Sequence, residues 1–208
     1  DNFEWNLEYR MSTLELKELS HPSGEVIKIA AGKTLDLKSQ GTTTLPTGSV
    51  LQVVSAELTT RVSMTTTSFQ NTGLIGYITP SSASSKILIT VSFGRIQTTQ
   101  SNNDHGCAVR LMRGSVDSDL NGVASSSRSR VMFTTGGASF NNEHSNGGFS
   151  ITGIDSPNTT SQITYNVQAW PQSSSYPIII NGTAINSDSA QFYTSRTKAI
   201  ITMMEIQG

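Results

Sequence analysis

The chain has 208 residues, 35% of them hydrophobic and only 14% charged, with a formal net charge of −1. So little charge excludes a disordered polyelectrolyte, and near-neutrality with no basic cluster excludes a protein built to hold nucleic acid. A single cysteine, Cys107, excludes an internal disulfide framework, and the shortness of every apolar run excludes insertion into a membrane.

Residues 1–10, DNFEWNLEYR, alternate without a fault. Phe3, Trp5, Leu7 and Tyr9 share one face, and Asn2, Glu4, Asn6, Glu8 and Arg10 share the other, which is the pattern of a strand needing an apolar surface to cover it. These four apolar residues are the candidate anchor to another chain. Met11-Ser12-Thr13 reads as a translation start, which sets residues 1–10 apart as an addition or as part of a longer upstream chain. Leu14, Leu16 and Leu19 continue a weaker alternation until Pro22 stops any regular element, so residues 1–23 form an anchoring segment.

Residues 24–48, GEVIKIAAGKTLDLKSQGTTTLPTG, carry glycines at 24, 32, 41 and 48 and two short alternating strands, Val26–Ile29 and Thr34–Leu37. So few aliphatic side chains cannot offset about 1–2 kcal/mol of backbone entropy per residue, and an isolated pair of short strands is marginal in water. Winding several copies around each other would make one core from thin apolar faces, so the segment is expected to be an intertwined β shaft; a flexible linker is the simpler alternative.

Residues 49–208 read as an all-β head. Strands are expected at 50–55, 58–64, 74–78, 86–93, 107–113, 130–134, 149–153, 162–169, 177–180 and 197–206, separated by segments rich in Ser, Asn, Gly and Pro. Ile87, Ile89, Val91 and Phe93 face one way, as do Cys107, Val109 and Leu111, and Ile163, Tyr165, Val167 and Ala169. Many short strands with turns between them predict a β-sandwich of jelly-roll type. Leu88, Met112, Trp170, Ile200, Met204 and Ile206 fall on the opposite faces, where contact between subunits is the simplest cover.

The opening MSTLELKELSHPSGEVIKIAAGKTLDLKSQG, the block ITPSSASSKILITVSF, then CAVRLMRG, FSITGIDSPNTTSQITYNVQ and the closing TSRTKAIITMMEIQG resemble the fibre and appendage proteins of marine bacteriophages, including those of cyanobacteria. The resemblance covers most of residues 11–208 and rests on turns and strand patterns. It implies a subunit of a virion appendage, usually a homotrimer in contact with other virion proteins, with a host-facing or capsid-decorating role. It carries over no catalytic residue.

Chemistry is sparse. His21 lies in a turn, and His105 and His144 in Asn-rich segments; there is no nucleophile elbow, phosphate-cradling loop or CxxC. Asp117 and Asp119 lack the other ligands of a calcium loop, and Asp155-Ser156-Pro157-Asn158 reads as a turn, so neither enzymatic activity nor a cofactor is expected. The patterns NNDH at 102–105 and NNEH at 141–144 echo each other. If every strand reverses direction, segments 95–106, 135–148 and 170–176 fall at the end far from the shaft, and 114–127, 154–161 and 182–196 at the near end. The far set holds His105, His144, Trp170 and Tyr176, a mixture suited to a host-surface glycan or protein, and the paired histidines and acids raise a metal site at the tip as an alternative. The expected role is non-covalent attachment to a bacterium, the rivals being capsid decoration and a carbohydrate-binding adhesin.

Overall fold

The computed structural model describes residues 31–33, 45–98, 106–135, 147–191 and 194–208. The chain divides into two compact units, Asp1–Thr44 and Leu45–Gly208. The anchor with Phe3, Trp5, Leu7 and Tyr9 and most of the expected shaft lie outside the described residues; Gly32, at φ +72°, and Gly48, at φ +89°, are turn positions where a side chain would be strained.

The second unit is all-β. In chain order its described strands are β1 (Val50–Leu58), β2 (Val62–Met64), β3 (Gln70–Ile78), β4 (Lys86–Thr98), β5 (Cys107–Arg113) and β6 (Val116–Asp117). They continue with β7 (Phe133–Thr135), β8 (Gly147–Asp155), β9 (Ile163–Pro171), β10 (Ile178–Ile180) and β11 (Ala199–Ile206). One sheet runs β1-β11-β4-β10-β2 with β8 on the other edge of β4; the second runs β3-β9-β5-β6 with β7 also on β5. All pairs are antiparallel. The alternation read from the sequence is the cause: Ile87, Ile89 and Val91 of the first sheet and Val109, Leu111, Tyr165 and Val167 of the second are fully buried in one shared core. Phe93, Phe149 and Phe133 stack at one end of it, with centroids 4.9 and 3.8 Å apart. The expected strand 58–64 is split: β1 ends at Leu58, and the chain turns before β2.

Direction along β4 fixes which loops share an end. Gly48 N–H donates to the Gln207 carbonyl and Gln207 N–H to that of Ser49, so the chain enters beside Ile206 and Lys86. The strand ends Thr98, Cys107, Thr135, Gly147 and Pro171 lie opposite to that entry, while Arg113, Asp155 and Ile163 lie near it. The segment 182–196 departs from the expected near-end position. β10 pairs with Thr98–Ile96 and β11 with Phe93–Lys86 along the same edge of β4, so the chain does not reverse between them. It leaves at Asn181 and returns at Lys198, whose carbonyl accepts from Gly94 N–H at 3.1 Å. Asn181 takes φ +61° and spends its amide on the Leu58 and Thr60 carbonyls. Ala184 N–H then reaches Gln97 Oε1 at 3.0 Å, which lays the start of the excursion over the outer face of the sheet, where Gln97 and Ile179 are buried.

At the entry end a buried carboxylate holds the 79–85 turn. Glu205 Oε1 accepts from Ser81 N–H, Ser81 Oγ and Ser85 Oγ, each at 2.7 Å, and Oε2 accepts from Gln52 Nε2 at 2.6 Å. Burial by itself raises the pKa of this group, but the donated hydrogen bonds outweigh it and hold the carboxyl below its ordinary value. A depressed folded pKa gives stability that is present above the unfolded value, 4.5, and lost as pH falls through the folded one. Glu205→Gln should therefore cost about 1–3 kcal/mol near neutrality and lessen the acid sensitivity of what remains. Denaturant midpoints measured at neutral and at strongly acidic pH check both; equal midpoints for the two proteins at neutrality would refute it.

Candidate recognition surface

Two clusters of charged and aromatic groups stand out among the described residues, and burial separates their roles. The first joins the sheets. Asp155, at the end of β8, is inaccessible to water; its Oδ2 accepts from Tyr165 Oη at 2.6 Å and from Arg113 Nη1 at 2.8 Å, and its Oδ1 from Asp119 N–H at 2.7 Å. Burial, then the bond to Asp155, raises the Tyr165 pKa well above that of a free phenol. An acid, a phenol and a guanidinium resemble catalytic equipment, yet Asp155 and Tyr165 are both fully buried, so no substrate reaches them. The cluster ties β8 of one sheet to β9 and β5 of the other. The sequence reading of Asp155 as a turn residue missed this; its place at the end of an alternating strand, in phase with the core, was the available signal.

The second cluster is accessible. On β9 the residues opposite the core are Thr164, Asn166, Gln168 and Trp170, all half-buried; on β5 they are Ala108, Arg110 and Met112. Trp170 pairs with Ala108 and meets the edge of Phe69, centroids 5.5 Å apart, just before β3. The Arg110 guanidinium lies over the same Phe69 ring, 4.0 Å from its centroid. Arg110 Nε donates to Gln168 Oε1 at 2.9 Å, and Gln168 Nε2 donates to Asn71 Oδ1 at 2.8 Å. The cation is thus fixed by stacking on one side and by an amide chain on the other. Trp170 Nε1 and Asn166 Oδ1 are buried without a hydrogen-bond partner among the described residues. Together these residues make an aromatic, cationic and amide-rich surface, whose groups suit directional contact with a polar ring or chain.

Of the residues picked from sequence, the structure places Trp170 in this surface and Tyr176 in a turn that closes with its N–H on the Ser173 carbonyl. It does not bring Tyr176 into the Phe69 stack. His105 and His144 lie outside the described residues. Phe69, Arg110, Gln168 and Asn71 were missed because β3 begins at Gln70, four residues before the strand expected there. Arg110 was legible as the outward position of CAVRLMR.

Two other features are weaker. A polar pocket of about 390 Å³ lies along the excursion between β10 and β11; the described residues that line it include Asn186, Ser187, Asp188, Ser189, Thr194 and Arg196, and none of them is aromatic. No group of three His, Cys, Asp or Glu side chains that could hold a metal comes together among the described residues. Comparison with protein-family models and with curated proteins finds no match to this sequence.

The division of labour between the clusters is testable. Arg113→Met strands a buried carboxylate and should cost about 3–5 kcal/mol, whereas Tyr165→Phe, which removes one donor, should cost about 1–3 kcal/mol. Urea unfolding of the two variants decides this; a cost below experimental error for both would show that the tie contributes nothing.

Proposed function

We propose that this protein is a subunit of a bacteriophage fibre or appendage, non-enzymatic, that attaches the virion to a bacterial surface. The reading takes its family from the sequence resemblance. The single structural observation that supports it is the accessible surface around Trp170, Phe69 and Arg110. In the proposed assembly residues 1–23 anchor the subunit to other virion proteins through Phe3, Trp5, Leu7 and Tyr9. Residues 24–48 intertwine as a shaft, and the jelly-roll-type heads stand as a homotrimer. Tyr176, His105 and His144 belong to segments whose flanking strand ends lie at the end opposite the entry, and they extend the proposed contact there.

Attachment is tested by competition. Purified protein should bind cells of a susceptible marine bacterium saturably and block adsorption of the phage that carries it. Trp170→Ala with Tyr176→Ala should abolish this while leaving the melting temperature and the oligomer unchanged. Loss of the oligomer would assign the residues to assembly, and saturable binding to capsids but not to cells would support decoration.

The outer face of the first sheet supports the trimer. Register places Val53, Met204, Leu88 and Ile154 in one row across four strands, with Val53 58% and Ile154 55% exposed. The next row is Ser55, Thr202, Thr90 and Thr152, and beyond it Ser92 meets Ser150 at 2.8 Å. Glu57, paired with Lys198, stands in that last row; the first two rows, apolar and hydroxylic, are ones that another subunit can cover without desolvating an ion. Val53→Lys with Ile154→Lys should change folding stability by no more than about 0.5 kcal/mol per site in an isolated subunit, yet shift the protein to monomer. Light scattering at micromolar concentration checks it; an unchanged trimer would place the interface elsewhere.

A further inference from the structure

The attachment reading leaves open what the surface takes, and the charge on it narrows the class. Arg110 is half-buried; among the described residues its one hydrogen bond is that from Nε to Gln168, Nη1 and Nη2 have no partner, and no carboxylate forms an ion pair with it. Among the described residues Arg113 pairs with Asp155, Arg130 with Asp117 at 3.6 Å and Lys198 with Glu57, while Lys86, Arg61 and Arg196 donate to neutral oxygens; what sets Arg110 apart is the aromatic ring beneath it. A guanidinium held over Phe69 and fixed through Nε keeps its other two nitrogens for a bidentate acceptor, and little rotamer freedom remains to be lost when one arrives. Resting on the attachment reading, we infer that this surface binds a carboxylate-bearing saccharide, with the acid group on Arg110 and a sugar face against Phe69 and Trp170.

Each part of the ligand answers a named group. One unneutralised positive charge matches the single charge of a uronate-type carboxylate. The Phe69 and Trp170 rings offer apolar area to the C–H face of a pyranose at low entropic cost. Asn71, exposed and using only its Oδ1 toward Gln168, keeps its amide N–H groups for ring hydroxyls. Water-exposed hydroxyls are satisfied at such an open site, so the acid–arginine pair supplies the discrimination and the rings the area.

The experiment titrates the full-length protein with oligogalacturonate, oligomannuronate and oligosialate, each beside its methyl ester, which keeps the ring and removes the charge. Oligoglutamate serves as an acidic peptide. At least one acidic saccharide should bind roughly tenfold to a hundredfold tighter than its ester, as a charged hydrogen-bonded pair warrants. Arg110→Gln should erase that preference with an unchanged melting temperature, and Arg110→Lys, which keeps the charge but not the fork, should retain part of it. An acid preference that survives Arg110→Gln overturns the inference, as does the lack of any preference or equal binding of oligoglutamate. If neutral saccharides bind and Trp170→Ala abolishes them, glycan attachment stands and only the acidic specificity falls. If no saccharide binds and cell adsorption is indifferent to Trp170→Ala, both fall.

Discussion

β4 is the constraint on which the head depends. Its thirteen residues carry partners on both edges: β8 along one, and β11 followed by β10 along the other. A strand hydrogen-bonded on both edges leaves no free ladder for a foreign strand, and its alternating Ile87, Ile89, Val91 and Phe93 supply one wall of the core. Because two strands share one edge, the chain between them has to leave the sheet and come back. Gly94 and Gly148 make room at that point: a Cβ on Gly94 would lie 2.9 Å from Thr197, and one on Gly148 2.8 Å from the Phe93 carbonyl oxygen.

Two buried carboxylates fix what the apolar core leaves loose. Hydrophobic contact is indifferent to a small slide of one sheet over the other, whereas the short bonds from Tyr165 and Arg113 to Asp155 are not. Glu205 does the same for the 79–85 turn, where hydroxyls and an amide stand in for a counter-cation. Both carboxylates lie toward the end at which the chain enters, so that end is specified by polar bonds and the opposite one by the Phe93, Phe149 and Phe133 stack.

The outer faces of the two sheets differ in kind. The first presents aligned aliphatic and hydroxyl rows, suited to contact with a matching protein surface. The second presents a cation braced by an aromatic ring and an amide chain, suited to a charged polar ligand. Assembly and recognition can therefore occupy opposite sides of one small domain, and neither need alter the core between them.

The sequence by itself determined the all-β class and most of the strands, because burial on one face imposes a period of two that survives in Ile87–Phe93, Cys107–Leu111 and Ile163–Ala169. It also carried Trp170 and the outward apolar series, since the same alternation that marks the core marks its reverse. It could not carry partners distant in the chain. That Arg110 rests on Phe69, that Asp155 is an interior ion and not a turn, and that Ala184 meets Gln97 on the outer face of its sheet follow from pairings between residues forty to a hundred positions apart. Strand counting failed at β10 and β11 for the same reason: whether a chain reverses at a loop depends on which edge is vacant, and edge occupancy is settled only when the whole sheet has formed.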